Sequence, residues 1–202
     1  LWAIFNNGNN VLTQLTVTNS TFRDTSVASP GNNGLILQAD DNASMTADIV
    51  SSDFLRNRAN GVQVINNGSG TVDVEIRGAG SSFTDNNIGV NIAHNGSGSL
   101  FFDVRDGIYN STLASPININ LGALGVTMDG HVVGNTIDNN DSLTGPGIRI
   151  TTNGSVGGTL TMLVQNNTIT EVGNRGIEAI ARDGNSRLNL TLYGNNINLA
   201  SG

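Results

Sequence analysis

The chain has 202 residues, 26 of them glycine, with no cysteine, charged residues at only 12% and a formal net charge of −7. Without cysteine there are no disulfides and no thiol chemistry. An acidic chain whose basic residues are nine scattered arginines lacks the basic stripe of a nucleic-acid binder. No apolar run approaches the roughly 20 residues of a membrane-spanning helix.

The predicted elements follow one another as copies of a unit of roughly 28 residues. Trp2 to Val17 reads as most of a first coil. Each later unit opens on glycine and an apolar-x-apolar step: Gly34-Leu35-Ile36-Leu37, Gly61-Val62-Gln63-Val64, Gly89-Val90-Asn91-Ile92, Gly147-Ile148-Arg149-Ile150 and Gly176-Ile177-Glu178-Ala179. Ser115-Pro116-Ile117-Asn118-Ile119 stands where a sixth opening is due. Self-similarity at this period is the mark of a repeat fold, in which no unit buries its apolar face alone.

An alternating stretch then follows in every unit. In order the copies are Thr13-Leu15-Val17, Met45-Ala47-Ile49, Val72-Val74-Ile76, Leu100-Phe102-Val104, Met128-Gly130-Val132, Leu160-Met162-Val164 and Leu188-Leu190-Leu192. Period-two alternation predicts a strand with one buried face. Five residues on comes a bulky side chain: Phe22, Phe54, Tyr109, Ile137, Ile169 and Ile197, with Phe83 displaced by two extra residues near Gly78. No stretch has helical periodicity, so a β-α-β solenoid is excluded. The fold class predicted is all-β, a single parallel β-helix of six to seven coils over residues 1–202. Two positions before the bulky residue stand Ser20, Ser52, Ser81, Gly107, Asn135, Asn167 and Asn195. Stacked in register, the asparagines are expected to form an amide ladder.

The glycine-led steps and the turn phrases Gly134-Asn135-Thr136-Ile137, Asn166-Asn167-Thr168-Ile169 and Gly194-Asn195-Asn196-Ile197 resemble the right-handed parallel β-helix of the pectate-lyase-like superfamily. The Asn- and Gly-rich style is closest to the repeats of bacterial surface and autotransported proteins. That resemblance implies an extracellular or cell-surface location, and a structural or adhesive role. Neither end shows an amphipathic capping helix, and Leu1 to Phe5 lacks the basic start of a signal peptide. The expected partners are therefore flanking coils of a longer chain or other copies stacked end to end.

The same register gathers charge on outward columns of the alternating strands. Asp48, Asp73, Glu75, Asp103, Asp129, His131, Arg77 and Arg105 fall on adjacent coils in mid-rod. The resemblance implies a second reading for this face, a polysaccharide-binding or polysaccharide-degrading one. In it Asp73, Asp103 and Asp129 are the catalytic candidates. Glu75, Arg77, Arg105 and His131 would contact substrate, and Asp48, Asp73 and Asp103 would hold a calcium ion. Against it, Arg77 and Arg105 are expected to neutralise Asp103 and Glu75 diagonally across the strands. There is also no N-x-D followed by a D-D pair and a G-H-G step, the compact signature of polygalacturonases. Asn67-Gly68-Ser69, Asn95-Gly96-Ser97 and Asn153-Gly154-Ser155 fit the N-glycosylation pattern but read first as turns. His94 is expected to be solvated in a turn.

Overall fold

The computed structural model describes residues 2–25, 32–78, 80–110, 112–122, 124, 126–138, 145–154, 157–173 and 175–198. Parts of the turns at 24–33 and 138–146, Ser155 and the stretch 199–202 lie outside the described residues.

Each coil contributes three strands. The first holds β1 (Trp2–Asn6), β2 (Val11–Thr18) and β3 (Thr21–Arg23), the second β4 (Leu35–Ala39), β5 (Ser44–Val50) and β6 (Asp53–Leu55). Then come β7 (Asn60–Asn66), β8 (Thr71–Arg77) and β9 (Ser82–Thr84), followed by β10 (Ile88–His94), β11 (Ser99–Arg105) and β12 (Ile108–Asn110). The fifth coil is β13 (Ile117–Leu121), β14 (Thr127–Val133) and β15 (Thr136–Asp138). The last two are β16 (Ile148–Thr152), β17 (Thr159–Gln165) and β18 (Thr168–Thr170), then β19 (Ile177–Ala181), β20 (Arg187–Tyr193) and β21 (Asn196–Asn198).

Every third strand pairs with its counterpart one coil away, giving three parallel sheets of seven strands wrapped around one axis. This is a parallel β-solenoid, and six inter-coil spacings make it about 29 Å long. The alternating stretches form the second sheet, and their inward residues pack with almost no exposure from Met45 to Val164. The first sheet adds Leu35, Leu37, Val62, Val64, Val90, Ile92, Ile117, Ile119, Ile148 and Ile150 to the same core. In the third sheet Phe22, Phe54, Phe83 and Tyr109 stack nearly parallel, with ring centroids 5.0, 5.0 and 4.6 Å apart.

A residue with positive φ turns the chain from the second sheet to the third in every coil. These are Asn19, Ser51, Gly78, Asp106, Gly134, Asn166 and Gly194. Left-handed backbone is cheapest for Gly and Asn, which accounts for that column's composition. The next position carries the ladder. Asn135 donates from both its backbone N–H and its Nδ2 to Asn167 Oδ1, each at 3.0 Å, and Asn167 repeats the pattern onto Asn195. In the early coils a serine hydroxyl takes the acceptor's place, with Ser20 N–H and Ser52 N–H donating to Ser52 Oγ and Ser81 Oγ. The expected amide ladder is thus present, and it also satisfies backbone donors at a buried corner.

Three expectations are corrected. β2 carries a bulge: Leu12, not Thr13, pairs with Met45, and register resumes at Leu15 opposite Ala47. The bulge turns an apolar side chain inward and keeps the Thr13 hydroxyl in water. His94 is fully buried at the end of β10, its Nε2 2.9 Å from Gly98 O and its Nδ1 3.4 Å from Asn66 O. It fills the corner position that Asn66 fills one coil earlier, where Asn66 Nδ2 donates to Gly70 O. The salt bridges of Arg77 and Arg105 also differ from the diagonal arrangement, as described next.

Candidate functional site

β5, β8, β11 and β14 present three outward columns on the second sheet. Thr46, Asp73, Phe101 and Asp129 face one another in the first; Asp48, Glu75, Asp103 and His131 in the second; Val50, Arg77, Arg105 and Val133 in the third. The alternation that buries Val72, Val74 and Ile76 is what turns Asp73, Glu75 and Arg77 outward. Adjacent residues of a column sit one strand spacing, about 4.8 Å, apart.

The arginines lean toward the near side of the sheet. Arg77 reaches one coil back to Asp48 through a two-point contact, Nε to Oδ1 at 3.1 Å and Nη2 to Oδ2 at 2.7 Å. Its Nε also lies 2.9 Å from Oε2 of Glu75, two residues back on its own strand. Arg105 pairs with Asp103 on its own strand. Neither makes the diagonal pair expected of it. Arg77 and Arg105 are themselves register partners, so splaying onto different carboxylates separates two like charges.

Asp103 meets its neighbours through one oxygen. Its Oδ2 faces Arg105 and lies 3.6 Å from His131 Nδ1, while its Oδ1 is buried with no hydrogen-bond partner among the described residues. Asp73 and Asp129 stand apart from that network. They lie on either side of Phe101, a residue 37% exposed, so about two strand spacings separate them. The Asp73 carboxyl is held above its usual range, first by partial burial and then by the neighbouring Glu75 charge. A shallow cavity of about 180 Å³ lies among Asp73, Phe101, Asp103, Asp129 and His131.

The structure therefore brings the three catalytic candidates to one face but not to one point. Asp73 and Asp129 share a column interrupted by Phe101, and Asp103 sits in the next column. The calcium candidates Asp48, Asp73 and Asp103 occupy three successive strands and two columns, two of them against guanidinium groups. Among the described residues no three His, Cys, Asp or Glu side chains form a group able to hold a metal ion. Phe101 was not a sequence candidate, though a bulky apolar residue at an outward position of a polar column was a legible signal. A larger cavity, about 770 Å³, lies at the first coil between Ile4, Leu15, Val17, Phe22 and Leu35, where it opens on core side chains rather than on chemistry.

Two of the three N-G-S phrases are stacked turns between the first and second sheets. Asn95 Nδ2 donates to Asn67 Oδ1 at 3.0 Å, and Asn67 Nδ2 to Asp40 Oδ1 at 2.9 Å. A Cβ on Gly96 would fall 2.0 Å from Gly68 O, so only glycine lets these turns approach.

The fold defines the chain as a parallel β-solenoid. Set against models of protein families, curated sequences and solved structures, it matches none of them.

Proposed function

We propose that this solenoid is an extracellular structural or adhesive rod, displayed on a bacterial surface or built into a longer stack of coils. The observation that carries the reading is the continuity of its axial ladders. Three sheets run from the first coil to the last, and within them a serine ladder from Ser20 to Ser81, an asparagine ladder from Gly107 to Asn195 and an aromatic stack from Phe22 to Tyr109 tie successive coils together. Such a molecule distributes load along its axis and presents long flat faces. Ion pairing of Asp48 and Asp103 on the acidic face supports a structural use of those residues. The style of the repeats supports the surface location. Electron microscopy of the protein purified from its native source tests this reading. Long rods or filaments with an axial repeat of about 29 Å or more are expected. Short single rods bound to nothing would overturn it.

A second reading, binding or cleavage of polysaccharide at the acidic face, draws on one observation. An exposed aromatic residue between two carboxylates, Asp73-Phe101-Asp129, can stack on the apolar face of a sugar while the acids accept hydrogen bonds from its hydroxyls. An oligosaccharide panel with and without calcium, run on the native protein, Phe101→Ala and Asp103→Asn, tests it. Binding lost in Phe101→Ala supports this reading. Binding or turnover that is absent from all three proteins, or equal in all three, removes it.

A further inference from the structure

On the first sheet, away from the acidic face, Arg149 of β16 and Glu178 of β19 are direct cross-strand partners. Arg175, three residues before Glu178, reaches the same carboxylate from the turn. Each oxygen of Glu178 takes one arginine: Arg149 Nε lies 3.3 Å from Oε2 and Arg175 Nη1 lies 2.7 Å from Oε1. We propose that Arg149 and Arg175, braced by Glu178, form a binding site for a sulfate- or phosphate-type oxyanion.

Four observations carry this. Glu178 engages a single nitrogen of each fork, which orients both guanidinium groups without using them up. Two cations against one anion leave the cluster at +1 on a chain of net charge −7, so it is a local positive point on an acidic rod. The three side chains line a cavity of about 340 Å³ shared with Ser115, Gly145 and Pro146, large enough for one oxyanion group and its first attached ring or chain. Glu178 is also sheltered, its side chain 16% exposed, whereas Asp24, the other carboxylate met by two arginines among the described residues, is 52% exposed.

Arginine forks recognise oxyanions through paired, charge-assisted hydrogen bonds. Sulfate and phosphate groups offer more than one acceptor edge and can serve two forks together. Because Glu178 offsets one of the two positive charges, binding is expected in the millimolar range and to weaken with added salt. The inference needs neither the rod reading nor the polysaccharide reading, since it concerns another sheet and a different chemistry.

The test is a titration of the full chain with sodium sulfate and sodium phosphate at constant ionic strength against sodium chloride. Arginine Nε–Hε signals are followed by NMR. Selective shifts of Arg149 and Arg175 are expected, and Arg149→Gln or Arg175→Gln should weaken binding by about tenfold. Further arms with a sulfated oligosaccharide and a phosphoserine peptide separate a macromolecular source from the free ion. Tighter binding of one of them identifies the source, and equal binding of all identifies the free ion. No shift beyond that of chloride up to roughly 10 mM would overturn the site. Shifts of the same size at Arg77 and Arg105, or binding unchanged in both variants, would overturn it as well.

Discussion

The ring of Phe102 occupies the space that a side chain at Gly130 would need. The two are register partners on β11 and β14, both facing the core, and a Cβ built on Gly130 would lie 2.1 Å from Phe102 Cζ. One coil thus lends volume to the next: the missing side chain of the Met128-Gly130-Val132 strand is supplied by its neighbour. Gly130→Ala is expected to destabilise the protein by about 2 kcal/mol through overpacking. Adding Phe102→Leu should recover part of that loss. Urea unfolding of the two single variants and the double variant gives the coupling, and strictly additive losses would contradict the packing described.

Asn167 is the centre of its ladder. It accepts from Asn135 N–H and Nδ2, and its own Nδ2 donates to Val132 O and Asn195 Oδ1. Asn167→Ala strands the buried N–H of Asn135, leaves Asn135 Nδ2 with Val104 O alone and takes a donor from Val132 O. The expected loss is about 3 kcal/mol, read as a lower urea midpoint, whereas a loss below about 1 kcal/mol would mean the ladder contributes little.

Tyr109 ends the aromatic stack with its hydroxyl buried and without a hydrogen-bond partner among the described residues. Burial alone drives its pKa far upward, the expected response of a phenol denied water. Tyr109→Phe keeps the stack and removes the stranded hydroxyl. Stability should rise by about 1 kcal/mol, measured as a higher melting temperature. A drop would show that the hydroxyl is satisfied in solution.

His94 links stability to pH. Its pKa is held below 6.5, first by burial, although the carbonyls of Gly98 and Asn66 pull the other way. Above pH 6.5 the imidazole is neutral folded and unfolded, so its contribution is complete. As pH falls below 6.5 the unfolded chain takes up the proton first, and stability declines until the folded-state pKa is passed. His94→Asn, which copies Asn66, should flatten that decline relative to the native protein. Denaturation midpoints at pH 8 and pH 5 measure it, and parallel profiles would reject the role.

Asp73 works with the opposite sign. A carboxyl raised in the folded state disfavours folding wherever it is ionised, and the penalty vanishes below the unfolded pKa of 3.8. Asp73→Asn should therefore stabilise slightly at pH 7, by under about 1 kcal/mol because the group is screened by solvent, and not at pH 3. Equal effects at both values would show that charge is not the cause.

The coil, its core columns and the Asn135-Asn167-Asn195 ladder were all legible in the residues. A parallel solenoid allows one register per coil, and a one-residue slip would turn Val72, Val74 and Ile76 outward. Spacing therefore carries the inward set, and with it the outward columns of the acidic face. Less legible was the second end of each long side chain. Arg77 has several carboxylates within reach at similar distance, and it settles on Asp48 and Glu75 rather than Asp103.

By itself, then, the order of residues determined the solenoid, its period and the membership of the columns from the second coil onward, because period-two alternation and coil-to-coil hydrogen bonding together select one way to bury the apolar set. Only the tertiary structure decided that Leu12 enters the core through a bulge and that His94 closes a buried corner. It also decided that Arg149 and Arg175 converge on Glu178. Those outcomes depend on local competition between burial, hydrogen bonding and charge at contacts made across coils, and such competition leaves no periodic trace along the chain.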